Sequence, residues 1–205
     1  MGGYVESAIH RSVRALVDRD AELARQVLRD EARINQMEIE IDNLTTRLFA
    51  LRQPMAKDLR FLTAAMKINT DLERMGDLAV NIAQRAISLV AHTPVKPLID
   101  IPRMAQLVES MLLRSLDAFV KGDSEEATGV LMADDEVDAL RDSVYQELVS
   151  YMQSDPTTVP AAVDLMFVAR NLERIADHAT NIAEDVVFLV KGVDVRHHAI
   201  EAKDA

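Results

Sequence analysis

Pairs of oxygen-bearing side chains four residues apart recur along this 205-residue sequence. Residues at that spacing lie one turn apart on the same face of an α-helix. Such oxygens bind hard or borderline divalent and trivalent cations, so the pattern predicts a metal site, with iron, zinc, magnesium or manganese as the candidate ions. The candidate ligands form four pairs: Glu31 and Asn35, Glu73 and Asp77, Asp134 and Asp138, and Glu173 and Asp177.

A simpler explanation competes with metal binding. The chain has 34 acidic residues, and the acidic face of a helix is usually just solvated. On a helical wheel, Glu73 and Asp77 lie at the edge of the apolar stripe that contains Leu72, so they border the surface. The recurrence of the spacing in both halves of the chain favours a shared role. Both interpretations stay open at the level of sequence.

Basic and amide side chains accompany the acids. Arg74 and Arg174 each follow a candidate ligand, and we expect each to pair with a carboxylate on a neighbouring helix, with anion or partner recognition as the alternative. The helical wheel predicts that His178 is exposed. Its functional possibilities are metal ligation and acceptance of a phosphoryl group. Two asparagines recur in the same motif: Asn81 and Asn181.

Composition and motifs exclude several other chemistries. Without cysteine there are no disulfides, thiolate metal sites or cysteine nucleophiles. The net charge of −11 disfavours binding to nucleic acid or to an anionic lipid surface. The sequence lacks the glycine-rich loop that nucleotide hydrolysis needs, and it lacks the strand-to-helix elbow of a serine hydrolase. No histidine follows a glutamate by three positions, which excludes a di-iron carboxylate oxidase.

The sequence shows no segment that would direct the chain into a membrane. No apolar run approaches the roughly 18 residues of a membrane span, and no basic segment followed by an apolar one opens the chain. We therefore expect a cytoplasmic protein. The helical pattern begins almost directly after Met1 without a polar cap, so we expect the first helix to be cut short here.

An internal repeat of about 100 residues organises the chain. The segment Asp71-Leu-Glu-Arg-Met-Gly-Asp77 reappears as Asn171-Leu-Glu-Arg-Ile-Ala-Asp177. Further towards the N-terminus the offset between the copies grows from 100 to 103 residues, so that Asp20 corresponds to Asp123. A small difference in length within the repeat explains the shift.

Each copy is predicted to form three principal helices, with a short helical turn between the first and the second. In the third helix, apolar residues follow a 4-3-4-3-4 spacing from Ile68 to Ala86, which is typical of a helix packed against two others. Pro54 and Pro156 mark the starts of the third helices, the first of which should run from roughly residue 55 to 91. The sequence therefore predicts an all-α fold of two tandem, antiparallel three-helix bundles, related by a pseudo-twofold axis.

Three prolines between residues 92 and 102 forbid a continuous helix and separate the two copies. We place the first bundle at residues 1–92, the linker at 93–102, the second bundle at 103–193 and a polar tail at 194–205.

These features resemble the PhoU family of phosphate-uptake regulators over essentially the whole chain. The resemblance rests on residues 1–6, 52–60, 72–77 and 172–181, which include Arg52-Gln-Pro54 and both copies of Leu-Glu-Arg. It implies two three-helix bundles, with multinuclear metal clusters on the bundle surface in some members. Asn35 departs from the family's acid-x-x-x-acid pattern, which the following residues match: Glu73, Asp77, Asp134, Asp138, Glu173 and Asp177. Family chains usually begin more than a turn before Met1, which agrees with a shortened first helix.

The resemblance also implies a function as a negative regulator of the phosphate regulon. Family members connect the ATPase subunit of the phosphate-specific ABC transporter with a membrane sensor histidine kinase. We accordingly expect a non-enzymatic adaptor, a homodimer that reaches the inner membrane through these partners. Two rivals stay open: a phosphotransfer protein that uses His178, and a metal-dependent enzyme that uses the carboxylates with bound water.

Overall fold

The computed structural model describes residues 1–95, 98 and 100–195, and in this part of the chain there are helices and no strands. The prediction of an all-α fold is confirmed. Residues 96, 97 and 99 of the predicted linker, and residues 196–205 of the predicted polar tail, lie outside the described residues. The described helices are α1 Gly2–Asp18, α2 Ala21–Arg52, α3 Lys57–Val90, α4 Asp100–Lys121, α5 Ser124–Leu131, α6 Asp134–Ser154 and α7 Val159–Lys191, with a 3₁₀ turn at Pro156–Thr158.

Two helices form the centre of the molecule. In the described part of the chain, α3 and α7 share the most extensive contact between any two helices, and each also packs against the other helices of its own bundle. They run antiparallel, because Lys67 near the start of α3 binds Asp185 near the end of α7. At the other end of the contact, Arg85 binds Asp164. The two bundles therefore stand side by side, in the pseudo-twofold arrangement that the repeat predicts.

The predicted apolar stripes form the core. Burying one large aliphatic side chain contributes roughly 1.5–3 kcal/mol, so these stripes fix how α3 and α7 are rotated about their axes. Glu73 directly follows the buried Leu72 and lies at the rim of its bundle. The buried stripe residues are Ile68, Leu72, Met75, Ala79, Ile82 and Ala86 on α3, and Val168, Leu172, Ile175, Ala179, Ile182 and Val186 on α7.

An aspartate caps the N-terminus of the second helix in both copies, α2 in the first and α5 in the second. Asp20 accepts hydrogen bonds from the backbone N–H groups two and three residues further on, and Asp123 does the same. The residues before them, Arg19 and Gly122, have left-handed φ values of 55° and 67°. Glycine adopts this conformation freely, whereas the guanidinium of Arg19 offsets its cost by donating to backbone carbonyls at the end of α3, those of Leu89, Val90 and His92.

The predicted short helical turn is present only in the second copy. There α5 ends at Leu131 and α6 begins at Asp134, whereas α2 runs from Ala21 to Arg52 without a break. The prediction for the first copy was wrong. The break lies at residues 132 and 133, beyond the weak helix formers Thr128 and Gly129 of α5, and the residues of α2 that correspond to these two are arginine and glutamine.

Proline precedes the third helix of each copy. Pro54 lies just before α3, whose range of Lys57–Val90 is close to the predicted one. Pro156 begins the 3₁₀ turn, which the carboxylate of Asp155 caps by accepting from the backbone N–H of Thr157 at 2.9 Å. The helix after the linker begins at Asp100, so the last residues of the predicted linker are helical, with proline in the first turn.

Candidate functional site

The first cluster consists of Glu31 and Asn35 on α2 and Glu73 and Asp77 on α3. Only 16% of the Glu73 side chain is exposed, and its Oε2 is buried without a hydrogen-bond partner. The Oδ1 of Asn35 is buried in the same way. Burial raises the pKa of Glu31 and the pKa of Glu73, and the Asp77 carboxylate raises both further. Asp77 on α3 therefore lies within electrostatic reach of Glu31 on α2 and of Glu73, and Asn35 lies one turn from Glu31.

A glycine allows α2 and α3 to approach each other at this cluster. A Cβ atom at Gly76 would lie 3.1 Å from Cδ1 and 3.2 Å from Cγ2 of Ile34, closer than ordinary van der Waals contact. Gly76 directly precedes Asp77, and Ile34 directly precedes Asn35. The close approach therefore occurs beside the cluster. The second copy has Ala176 at the equivalent position.

The second cluster consists of Asp134 and Asp138 on α6 and Glu173 and Asp177 on α7. Burial raises the pKa of Asp134 to about 6, with further contributions from the carboxylates of Asp177 and Asp138. Burial also raises the pKa of Glu173 and that of Asp177, and neighbouring carboxylates again contribute. The four carboxylates therefore lie within electrostatic reach of one another, as the spacing predicts.

Arg141 on α6 binds to members of the second cluster. Its Nη1 donates to Oδ1 of Asp138 at 3.0 Å and to Oε1 of Glu173 at 2.6 Å. Its Nε and Nη2 donate to Oδ1 of Asp142 at 3.1 and 2.9 Å. The guanidinium thus links α6 to α7. Our sequence analysis missed Arg141, although its place three residues after Asp138 puts it on the same helix face.

The donor atoms of both clusters suit a metal ion in their chemistry. Carboxylate and amide oxygens are the ligands of hard cations, and the buried oxygens of Asn35 and Glu73 that accept no hydrogen bond are atoms that a cation would satisfy. Within residues 1–95, 98 and 100–195, however, no three acidic or imidazole side chains converge into a group that holds a metal ion. Metal binding stays a prediction.

The model of the PhoU domain matches this chain twice, over residues 1–86 and 101–186. The chain belongs to the PhoU family. Its relatives include the "Phosphate-specific transport system accessory protein PhoU homolog" of Caulobacter vibrioides, which is 44% identical over 196 residues, covering 95% of this chain and 85% of the relative. The homolog of the same name from Pseudomonas aeruginosa is 42% identical over 199 residues, covering 96% of this chain and 82% of the relative.

Solved PhoU structures share the fold. The crystal structure of PhoU from Pseudomonas aeruginosa superposes with a TM-score of 0.90 at 40% identity, covering 94% of this chain and 93% of that one. PhoU from Streptococcus pneumoniae, a phosphate transport system regulatory protein, superposes with a TM-score of 0.88 at 29% identity, covering 95% and 91%. The predicted pair of tandem PhoU bundles is confirmed. In the described part of this chain, no helix combines the length and the apolar character needed to cross a membrane.

We predicted that His178, in the second PhoU repeat, is exposed, but it is mostly buried. Only 19% of its side chain is exposed, and its Nδ1 lies 2.8 Å from Oδ1 of Asp71 on α3. Asn181 donates to the same oxygen at 3.3 Å. The prediction was wrong because the helical wheel considered packing within one bundle, whereas this side of α7 contacts α3 of the other PhoU repeat.

The two motif arginines differ from expectation. Arg74 pairs with acids of its own helix, lying 3.4 Å from Oε2 of Glu73 and 3.5 Å from Oδ2 of Asp77, so the predicted partner on a neighbouring helix was wrong. Arg174 is exposed, and its charge partly opposes the rise that burial causes in the pKa of Asp177. Asn81 is exposed on α3.

Proposed function

We propose that this chain is a negative regulator of phosphate uptake and of the phosphate-starvation response. It connects the ATPase subunit of the phosphate ABC transporter with a sensor histidine kinase, and it acts as a cytoplasmic homodimer that reaches the inner membrane through these partners. The observation that carries the proposal is the double PhoU match over nearly the whole chain, together with relatives named as phosphate-specific transport system accessory proteins. An adaptor requires binding surfaces rather than a catalytic centre.

The turn between α2 and α3 is a candidate partner-binding surface. Leu51 and Met55 are 67% and 79% exposed there, and Arg52 between them adds positive charge to an otherwise acidic protein. Exposed apolar side chains grouped in this way are typical of interaction sites. The equivalent turn of the second repeat has Asp155 and Thr157 instead, so the fold itself does not require the apolar residues.

The regulatory role is tested in a strain that lacks the chromosomal gene for this chain. We expect phosphate-starvation genes to be expressed there even in phosphate-rich medium, and a plasmid copy of the chain to restore repression. The double variant Leu51→Ser, Met55→Ser should fail to restore it. Val159→Ser, which changes a 38% exposed residue at the equivalent turn, is the matched control. Normal repression in the deletion strain would contradict the regulatory role.

The proposal includes metal binding by the two clusters, with iron, zinc, magnesium or manganese as the ion. Glu31, Asn35, Glu73 and Asp77 would hold it in the first repeat, and Asp134, Asp138, Glu173 and Asp177 in the second. A bound cation supplies positive charge that neutralises the gathered carboxylates. The buried oxygens of Asn35 and Glu73 that accept no hydrogen bond support this part of the proposal.

Elemental analysis tests the metal directly. Protein purified without chelator or affinity tag should contain metal, and the amount should fall in the double variants Glu73→Ala, Asp77→Ala and Glu173→Ala, Asp177→Ala. A control variant at Asp100, outside both clusters, should keep the wild-type content. Metal-free wild-type protein would remove metal from the proposed function and leave the adaptor role untouched.

One contact favours phosphotransfer as a second candidate function. Asp71 engages Nδ1 of His178, which leaves Nε2 as the ring nitrogen outside that contact. In such a reaction Nε2 would attack the phosphorus of a phosphorylated partner, and the bond to the donor side chain would break. Incubation with a radiolabelled phosphorylated partner separates the two functions, because an adaptor takes up no label. Label that enters the wild type and not His178→Ala would establish phosphotransfer.

A further inference from the structure

The turn between α2 and α3 extends beyond the packed core of the first repeat. From residue 46 to residue 63 no side chain is buried, and Thr45 and Ala64 are the buried residues on either side. We call residues 46–63 the turn region. Around the equivalent turn of the second repeat, the stretch without a buried residue is shorter and runs from 149 to 160. The turn region therefore presents its side chains to whatever lies beyond this end of the repeat.

Large apolar side chains are exposed along the turn region. At the equivalent turn of the second repeat, the exposed large apolar residues are two valines, Val149 and Val159, which are 39% and 38% exposed. The fold therefore does not require larger apolar residues at such a turn. Those of the turn region are between 44% and 79% exposed and are Leu51, Met55, Leu59 and Phe61.

The charge of the turn region is opposite to that of the rest of the chain. It has four basic residues and one acid, which leaves 19 basic and 33 acidic residues elsewhere, so the net charges are +3 and −14. Residues 149–160 of the second repeat contain one acid and no basic residue. The positive charge is therefore a property of the first repeat alone. The charged residues of the turn region are Arg47, Arg52, Lys57, Asp58 and Arg60.

The apolar and basic residues of the turn region are interleaved. Each of the four exposed apolar residues has a basic residue within two positions along the chain, as Leu51 has Arg52 and Met55 has Lys57. The buried core of a protein–protein interface is depleted in charged residues. Bulky apolar side chains mixed with basic ones are instead typical of segments that lie at the surface of an anionic membrane. There the apolar groups enter the boundary between headgroups and acyl chains, and the basic groups contact phosphates.

We infer that the turn region binds an anionic lipid surface directly. The net charge of −11 disfavours such contact for the chain as a whole, but the uneven distribution of charge confines the contact to one end. The acidic remainder is repelled, so the molecule meets the lipid with the turn region first. This inference rests on the proposed binding role of the turn and names what it binds. It also goes beyond the proposed function, in which the chain reaches the membrane only through its partners.

Sedimentation with lipid vesicles tests the inference on the full chain. The protein should sediment with vesicles of phosphatidylcholine and phosphatidylglycerol in a ratio of about two to one, and not with phosphatidylcholine alone. Binding should weaken as salt is added, because salt screens the basic residues. The double variant Arg52→Gln, Lys57→Gln should bind the mixed vesicles roughly tenfold more weakly. Leu51→Ser, Met55→Ser should also bind more weakly, because less apolar surface enters the lipid.

The matched control is the double variant Arg25→Gln, Arg29→Gln. Both arginines are exposed near the start of α2, away from the turn region, where they pair with Glu22. Their replacement changes the net charge by the same amount as Arg52→Gln, Lys57→Gln, so vesicle binding should stay close to that of the wild type. Circular dichroism checks the helix content of each variant. The two glutamine variants alone keep the test decisive if the serine variant does not fold.

Each outcome decides a separate point. Wild-type protein that ignores the mixed vesicles, or equal losses in the two glutamine variants, would overturn the inference. If vesicle binding is absent and Leu51→Ser, Met55→Ser still fails to restore repression in the deletion strain, the turn binds a protein partner, and the proposed function stands without the lipid contact. Normal repression in the deletion strain, together with vesicle binding that depends on Arg52 and Lys57, would overturn the regulatory role and leave the lipid contact intact.

Discussion

The two carboxylate clusters share their ligand spacing but differ in how their negative charge is balanced. In the second cluster Arg141 bridges Asp138 and Glu173, whereas in the first cluster oxygens of Asn35 and Glu73 are buried without hydrogen bonds. The comparison shows that both repeats keep the helices that carry the acids, while two positions differ in charge: Asp138 corresponds to Asn35, and Arg141 corresponds to Glu38. Three experiments test this comparison.

The largest expected effect comes from the close approach of α2 and α3 that Gly76 allows beside the first cluster. Gly76→Val should lower the free energy of unfolding by about 2 kcal/mol, because the added carbons press on Ile34 and push α2 away from α3. Urea unfolding monitored by circular dichroism measures the change. Gly3→Val is the control, since a Cβ at Gly3 meets no atom within 4 Å. Equal stabilities of the two variants would show that α2 has room to shift without cost.

The next largest effect is expected at Arg141, and Arg74 provides the comparison. Arg141→Ala should cost about 1 kcal/mol of unfolding free energy, because it removes the link between α6 and α7 and leaves the largely buried Glu173 without its cation. Arg74 is 58% exposed and its contacts are longer. Arg74→Ala should therefore cost only about 0.3 kcal/mol, as is common for surface ion pairs. Urea unfolding in the presence of a chelator gives both values, and a larger loss for Arg74→Ala would reverse our ranking of the two arginines.

The smallest effect depends on pH. Asp134 has its pKa raised from 3.8 to about 6 in the folded protein, so its ionisation opposes folding. This destabilisation is complete at pH values above the pKa of the folded state, and it disappears at pH values below the pKa of the unfolded state. Asp134→Asn should therefore be more stable than the wild type by about 0.5 kcal/mol near pH 7.5, after allowance for solvent screening, and equal to it near pH 4.

Unfolding curves across this pH range test the prediction, with Asp135→Asn as the control. Asp135 is exposed in the same first turn of α6, so its replacement changes net charge and helix-end electrostatics equally. A pH-independent difference between Asp134→Asn and the wild type would contradict the burial argument.

Local patterns predicted much of this molecule. The 4-3-4-3-4 spacing identified the buried stripes of α3 and α7. The one-turn spacing identified acids that lie within electrostatic reach of one another. Both predictions work because they depend on the geometry of a single helix, which a sequence reports directly.

Features that depend on two helices were the ones missed. His178 was expected on the surface because nothing in its own helix reveals that Asp71 of the other repeat lies 2.8 Å away. Arg141 was overlooked because its closest partner, Glu173, is 32 residues distant along the chain. The unbroken α2 was missed for a different reason, since the repeat suggested a common helix pattern, whereas the break at residues 132 and 133 is present in one copy only.

The charged pairs between α3 and α7 also affect which repeats can pack against each other. Lys67 faces Asp185, and at the repeat offset of 100 residues the counterpart of Asp185 is Arg85. Two copies of the first repeat placed back to back would therefore set Lys67 against Arg85, cation against cation. These charged pairs therefore favour the pairing of unlike repeats over the pairing of two first repeats.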